Sequence, residues 1–129
     1  MKLLLDTHAL LWVLGDPDRL KPDMRRILAD TANTVFVSVV SLWEIVVKRR
    51  VGKLEADIAS ITAQLAPASK IQLLGVTTQH LHALNVLPFR EQHRDPFDHL
   101  IIAQAIAEGM TLVTQDQNAP LYPVQIISP

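Results

Sequence analysis

Five short runs of apolar and β-branched residues alternate with longer helix-like segments, and this alternation most constrains how the chain folds. The runs are Lys2–Leu5, Thr34–Val37, Ile71–Leu74, Thr111–Val113 and Val124–Ile127. Between them the punctuation is clear. A helix over His8–Leu14 is closed by Gly15-Asp16-Pro17-Asp18, a turn sequence. Residues 19–31 place Leu20, Met24, Ile27 and Leu28 on one stripe and read as a second helix. Ser38 or Ser41 caps a third, which runs to Arg50 and stops at Gly52. A further helix covers Asp57–Leu65 and ends near Pro67, and a short one covers Thr77–Leu84 with Thr77 or Thr78 as cap. The last opens with Asp95 as N-cap and Pro96 at its first position, runs to Glu108 and is ended by Gly109. Strands alternating with helices predict an α/β fold: a three-layer α/β/α sandwich around a mostly parallel sheet buried on both faces. A length of 129 residues predicts one domain over 1–129.

Composition narrows the chemistry. Hydrophobic residues make up 49% and charged residues 19%, a globular balance. There is no cysteine, which excludes disulfides and thiolate metal sites and makes a reducing cytoplasm the natural setting. No apolar run reaches the ~18–20 residues that span a bilayer, so no membrane role is expected. Asp6 and His8 interrupt the apolar opening, which therefore reads as a buried strand and helix and not as a secretion signal. The formal charge of −1 excludes a broad basic surface for non-specific nucleic-acid binding.

Four acids stand where such a fold gathers ligands: Asp6 after the first strand, Glu44 in the third helix, Asp98 in the first turn of the last helix, and Asp116 beyond the fourth strand. In parallel sheets ligands bind outside the carboxyl ends of the strands, and the crossover rule brings all four to that rim. Setting the four aside moves the formal charge from −1 to +3. Each has a plainer reading. Asp6 and Asp116 suit turns, Glu44 suits an i,i+4 pair with Lys48 worth ~0.2–0.5 kcal/mol, and Asp98 suits the positive end of its helix. Asp95 has the strongest plain reading, as N-cap, and stands in reserve as a ligand. Together the acids call for a hard divalent cation such as Mg²⁺ or Mn²⁺, which prefers oxygen ligands and activates water toward a phosphodiester. Thr7, Ser41 and Thr114 are candidates to hydrogen-bond this cluster. His8, His93 and His99 read as local polar contacts, because their spacing matches no metal motif. Lys48, Arg49, Arg50, Lys53, Arg90 and Arg94 are candidate phosphate contacts.

The segments LLLDTHALLW (3–12), SVVSLWEIVVKRRVGKL (38–54) and HRDPFDHLIIAQAIAEGMTLVTQD (93–116) resemble the PIN-domain family, and within it the VapC-type toxins of toxin–antitoxin pairs. The resemblance spans nearly the whole chain. It implies an endoribonuclease dependent on Mg²⁺ or Mn²⁺, acting on an RNA substrate, a homodimer, and neutralisation by a small antitoxin protein. Its acidic quartet falls on Asp6, Glu44, Asp98 and Asp116, as catalytic and metal-binding residues. Trp12, Trp43, Phe89 and nearby leucines are candidates for a groove that takes an antitoxin helix. A haloacid-dehalogenase-like phosphatase would need a second acid where His8 stands. The remaining alternative is a catalytically inactive or structural metal-binding module.

Overall fold

A computed structural model of the chain describes residues 1–65 and 69–129. Its elements in chain order are β1 (Lys2–Leu5), α1 (Thr7–Gly15), α2 (Pro22–Ala29), β2 (Thr34–Ser38), α3 (Val39–Arg50), α4 (Ile58–Gln64), β3 (Ile71–Leu74), α5 (Thr78–Asn85), α6 (Pro96–Glu108), β4 (Thr111–Val113) and β5 (Ile126–Ile127). The strands form one sheet in the order β3-β2-β1-β4-β5, and every pairing is parallel. The expected α/β architecture is therefore observed.

The sheet is covered on both faces because side chains alternate along a strand. Leu3, Leu5, Val35, Val37 and Val113 point to one face and pack with Ala9 and Leu10 of α1, Met24 of α2, Ile45 of α3 and Ile61 of α4. Leu4 and Leu112 point to the other, against Ile101, Ile102 and Ala105 of α6. Leu3, Leu4 and Leu5 have no solvent exposure. Each contributes about 1.5–3 kcal/mol by burial, so the central strand is also the anchor of both cores.

Several helix ends follow the expected chemistry. The Asp95 carboxylate accepts from the Phe97 and Asp98 N–H groups at the start of α6, and Gly109 ends that helix at φ 64°, where a side chain would be strained. Of the two candidate caps for α3, Ser38 is the one used, accepting from the Val40 N–H. Thr77 caps α5.

Two expectations were too generous. The helix expected over 19–31 begins only at Pro22, since proline fixes φ and lacks the N–H, suiting it to a first helical position. The last strand shrinks from Val124–Ile127 to two residues, because the Val124 N–H is turned back onto the Tyr122 carbonyl. Helix α3 buries one side only: Val40, Ser41, Glu44 and Ile45 are buried, whereas Trp43 is 56% exposed. Pro67, expected to end α4, lies outside the described residues.

The strand order reverses between β1 and β4, which leave the switch point side by side. Their carboxyl ends are joined by the Asp6 N–H donating to the Val113 carbonyl at 3.1 Å. A parallel sheet opens its ligand crevice at such a point.

Candidate metal centre

A cleft of ≈ 460 Å³ opens at this switch point, lined by Asp6, Thr7, His8, Glu44, Lys48, Asp95, Asp98, Gln115, Asp116 and Gln117. All four acids singled out in the sequence line it, with Asp95 beside them. The topology explains the convergence. Asp6 and Asp116 follow neighbouring strands, Glu44 rides on the helix after β2, and Asp95 and Asp98 open the helix before β4.

Each carboxylate is fixed differently. Asp6 caps α1 by accepting from the Ala9 N–H at 2.8 Å. Burial pushes its carboxyl up, and the Thr114 hydroxyl and the Ala9 N–H pull in the opposite direction. Glu44 is buried, with one oxygen accepting from the Thr7 hydroxyl at 2.6 Å and the other from the Lys48 ammonium. Ser41 lies 3.1 Å from the same Thr7 hydroxyl. The plain pairing of Glu44 with Lys48 thus forms, but inside the cleft wall. The Lys48 ammonium is pushed up, first by its hydrogen bond to Glu44, against the opposing effect of its own burial.

Asp98 carries the clearest strain. Burial pushes its carboxyl up to about 6, the hydrogen bond to His93 works against this, and the charges of Asp95, Glu44 and Asp116 add to the rise. Asp116 has one oxygen accepting from the Asn118 N–H at 2.9 Å, and its backbone N–H donates to the Thr114 hydroxyl at 3.0 Å. Thr7, Ser41 and Thr114 therefore all serve the cluster, as their sequence positions suggested.

The tightest grouping includes a residue that spacing did not single out. His93 Nε2 lies 3.1 Å from Asp98 Oδ2 and 3.3 Å from Asp116 Oδ2, and these ligand-type atoms all sit within 4.8 Å of one another. The expected local polar contact is real, but it spans two of the acids. Asp6 and Glu44 line the same cleft but are not part of that trio. Of the basic candidates, only Lys48 lines the cleft among the described residues. Arg49 donates to the Glu55 carbonyl and Arg94 to the Glu91 carbonyl, while Arg50, Lys53 and Arg90 are exposed. Trp12 packs against the first core beneath the Arg19 guanidinium, whereas Trp43 and Phe89 stay exposed, Trp43 meeting Phe97 edge-on at 4.7 Å.

The donor set fits a hard divalent cation. Five carboxylates face one small space against a single lysine, and two of them are held above their ordinary carboxyl range by burial. Oxygen ligands at a crowded anionic centre are what Mg²⁺ and Mn²⁺ take.

Among the described residues, no helix is long and apolar enough to cross a membrane. Ribonuclease VapC22 of Mycobacterium tuberculosis is 27% identical to this chain over 115 residues, covering 89% of the chain and 87% of that protein. Two solved structures share the fold. VapBC2 from Rickettsia felis, bound to a promoter DNA fragment, aligns with TM-score 0.72 at 20% identity, over 99% of this chain and 98% of that one. DNA-bound VapBC from Salmonella typhimurium aligns with TM-score 0.67 at 17% identity, over the same shares. The PIN domain family matches residues 3–123, nearly the whole length, and the chain belongs to that family.

Proposed function

We propose that this chain is a divalent-metal-dependent endoribonuclease and the toxin of a VapBC-type toxin–antitoxin pair. The observation that carries the reading is the convergence of Asp6, Glu44, Asp98 and Asp116 on one cleft at the switch point of a PIN-family sheet. The likeness to Ribonuclease VapC22 and to the VapBC structures supports the substrate class and the antitoxin partner. Residues 1–129 act as one nuclease domain, working as a homodimer in the cytoplasm.

Asp6, Glu44, Asp98 and Asp116 would hold Mg²⁺ or Mn²⁺, with Asp95 serving first as the α6 cap. A bound ion of this kind polarises the phosphodiester and lowers the pKa of a water, so that no covalent nucleophile on the protein is needed. The chain supplies the rest. Thr7 and Ser41 orient Glu44, Thr114 and the Asn118 N–H orient Asp116, and Asp95 fixes the first turn that presents Asp98. Lys48, the cleft's only lysine, partly balances the acids and is the cation best placed to meet a phosphate.

The test is cleavage of a pool of cellular RNA by the purified protein with Mg²⁺, with Mn²⁺ and with EDTA. Cutting that needs the metal and is lost in both Asp6→Asn and Asp98→Asn supports the nuclease. No cutting by a folded, antitoxin-free wild type with metal supplied favours an inactive binding module.

A further inference from the structure

Two acids of the cleft, Asp98 and Asp116, also meet a buried ring, that of His93. His93 lies in the connection between α5 and α6, is only 5% exposed, and does not line the cleft. Its ring joins a carboxylate from the first turn of α6 to one from the loop after β4. On its other side, His93 Nδ1 lies 2.9 Å from the Tyr122 hydroxyl, itself buried. The backbone carbonyl of His93 accepts from His99 Nε2 at 2.7 Å, and the His99 ring stands edge-on to that of His93 at 4.9 Å.

The direction of these bonds follows from their chemistry. An ionised carboxylate only accepts, so His93 Nε2 carries the hydrogen given to Asp98 Oδ2, and Asp116 Oδ2 lies 3.3 Å from the same nitrogen as a close polar contact. In the neutral ring Nδ1 is then a bare acceptor, and the Tyr122 hydroxyl must donate to it. His99 already spends its Nε2–H on the His93 carbonyl, which leaves the tyrosine hydrogen free for Nδ1. For a neutral ring the donors run one way, from Tyr122 to His93 to Asp98, with Asp116 against the same Nε2. A ring so oriented fixes where both carboxylates stand, as outer hydrogen bonds commonly do for metal ligands.

We propose that His93, anchored by Tyr122, is a positioning residue that holds the Asp98 and Asp116 carboxylates in the arrangement that takes the divalent cation. This role rests on the metal-nuclease reading of the cleft. It assigns His93 no contact with RNA and no place in the cation's own ligand set.

The test is Mn²⁺ affinity, by titration calorimetry or by the electron paramagnetic resonance of free Mn²⁺, for wild type, His93→Ala, His93→Gln and Tyr122→Phe. It is paired with kcat and KM for RNA cleavage and with ¹⁵N NMR of the histidine rings. His93→Ala should weaken Mn²⁺ binding about 10–100-fold, the range for losing such a support, and leave the KM for RNA unchanged at saturating metal. His93→Gln, whose amide N–H falls near the place of Nε2–H, should recover most of that affinity, and Tyr122→Phe should fall between. The metal-free wild type should show the His93 ring as the Nε2–H tautomer. If His93→Ala fails to fold, the glutamine and phenylalanine variants and the tautomer carry the test. Wild-type Mn²⁺ affinity in His93→Ala would overturn the proposal. So would the Nδ1–H tautomer with no rescue by glutamine, which would make the imidazole a ligand in its own right. A wild type that neither binds Mn²⁺ nor cuts RNA with metal would instead sink the reading of the cleft beneath it.

Discussion

Helix α6 serves two buried polar clusters that solve the same problem in opposite ways. At its first turn, Asp98 joins the acid cleft. Further along, Gln104 has no solvent exposure and bonds to the equally buried Ser38 and His80. Its side-chain carbonyl accepts from the Ser38 hydroxyl, and its amide donates to the Gly75 carbonyl and to His80 Nδ1, each at 3.2 Å. His80 Nδ1 also accepts from the Thr77 N–H, closing the α5 cap. The single loose end is His80 Nε2, which has no hydrogen-bond partner and lies 3.7 Å from a Glu108 oxygen. Nearly every donor in that network finds a neutral acceptor, and it ties α5, α6 and the end of β2 together. The cleft does the reverse: it gathers negative charge that its own lysine does not balance, and it stays open to solvent. A closed neutral network marks a structural joint, whereas an open surplus of one charge marks a site built for something absent from the chain itself.

The comparison breaks most sharply on activity. Asp98→Asn should leave the fold intact and lower RNA cleavage by at least about 10²-fold, the scale of losing one preorganised electrostatic group at a reacting centre. Gln104→Ala should do the opposite. It removes the partner of the buried Ser38 and His80 side chains and should cost about 1–3 kcal/mol of stability in denaturant titrations, while the folded fraction keeps its kcat.

The third contrast is in pH. The folded protein holds the Asp98 proton more tightly than the unfolded chain, with a pKa raised to about 6 from 3.8. The penalty of ionising Asp98 in the metal-free fold is therefore full above about pH 6 and fades as the pH falls from 6 toward 3.8. In metal-free buffer, Asp98→Asn should melt above wild type at pH 7.5, and the gap should hold down to about pH 6 and then narrow toward pH 4. A gap that is constant with pH would mean that Asp98 carries no such penalty. The smallest effect belongs to Glu108→Gln. The closed network works with a neutral His80, so stability should move by no more than about 0.5 kcal/mol and cleavage not at all.

Much of this was legible in the sequence because it is written locally. The Asp95-Pro96 start and Gly109 stop of α6, the Ser38 cap and the four main strand cores each follow from neighbouring residues. The acids were legible because a parallel sheet ties chain order to one rim. His93 was not, because its partners Asp98 and Asp116 are set by how the α5–α6 connection folds behind the cleft, and no ligand spacing encodes that. The Gln104 network was missed for a similar reason. A glutamine among Ile101, Ile102, Ala103 and Ala105 signals a buried polar residue, but its partners Ser38, Gly75 and His80 come from distant segments. Residues 19–31 misled through a real apolar stripe that Pro22 cuts short.

The most direct test is the melting temperature of wild type and Asp98→Asn at pH 7.5, with and without Mn²⁺. Ligand that binds only the folded state at 100 times its dissociation constant adds about 2.7 kcal/mol. Metal-free Asp98→Asn should melt higher than wild type, and Mn²⁺ should raise wild type strongly and the variant little, reversing the order. Wild type unmoved by millimolar Mn²⁺, with the variant the less stable of the two throughout, would contradict the metal reading of the cleft.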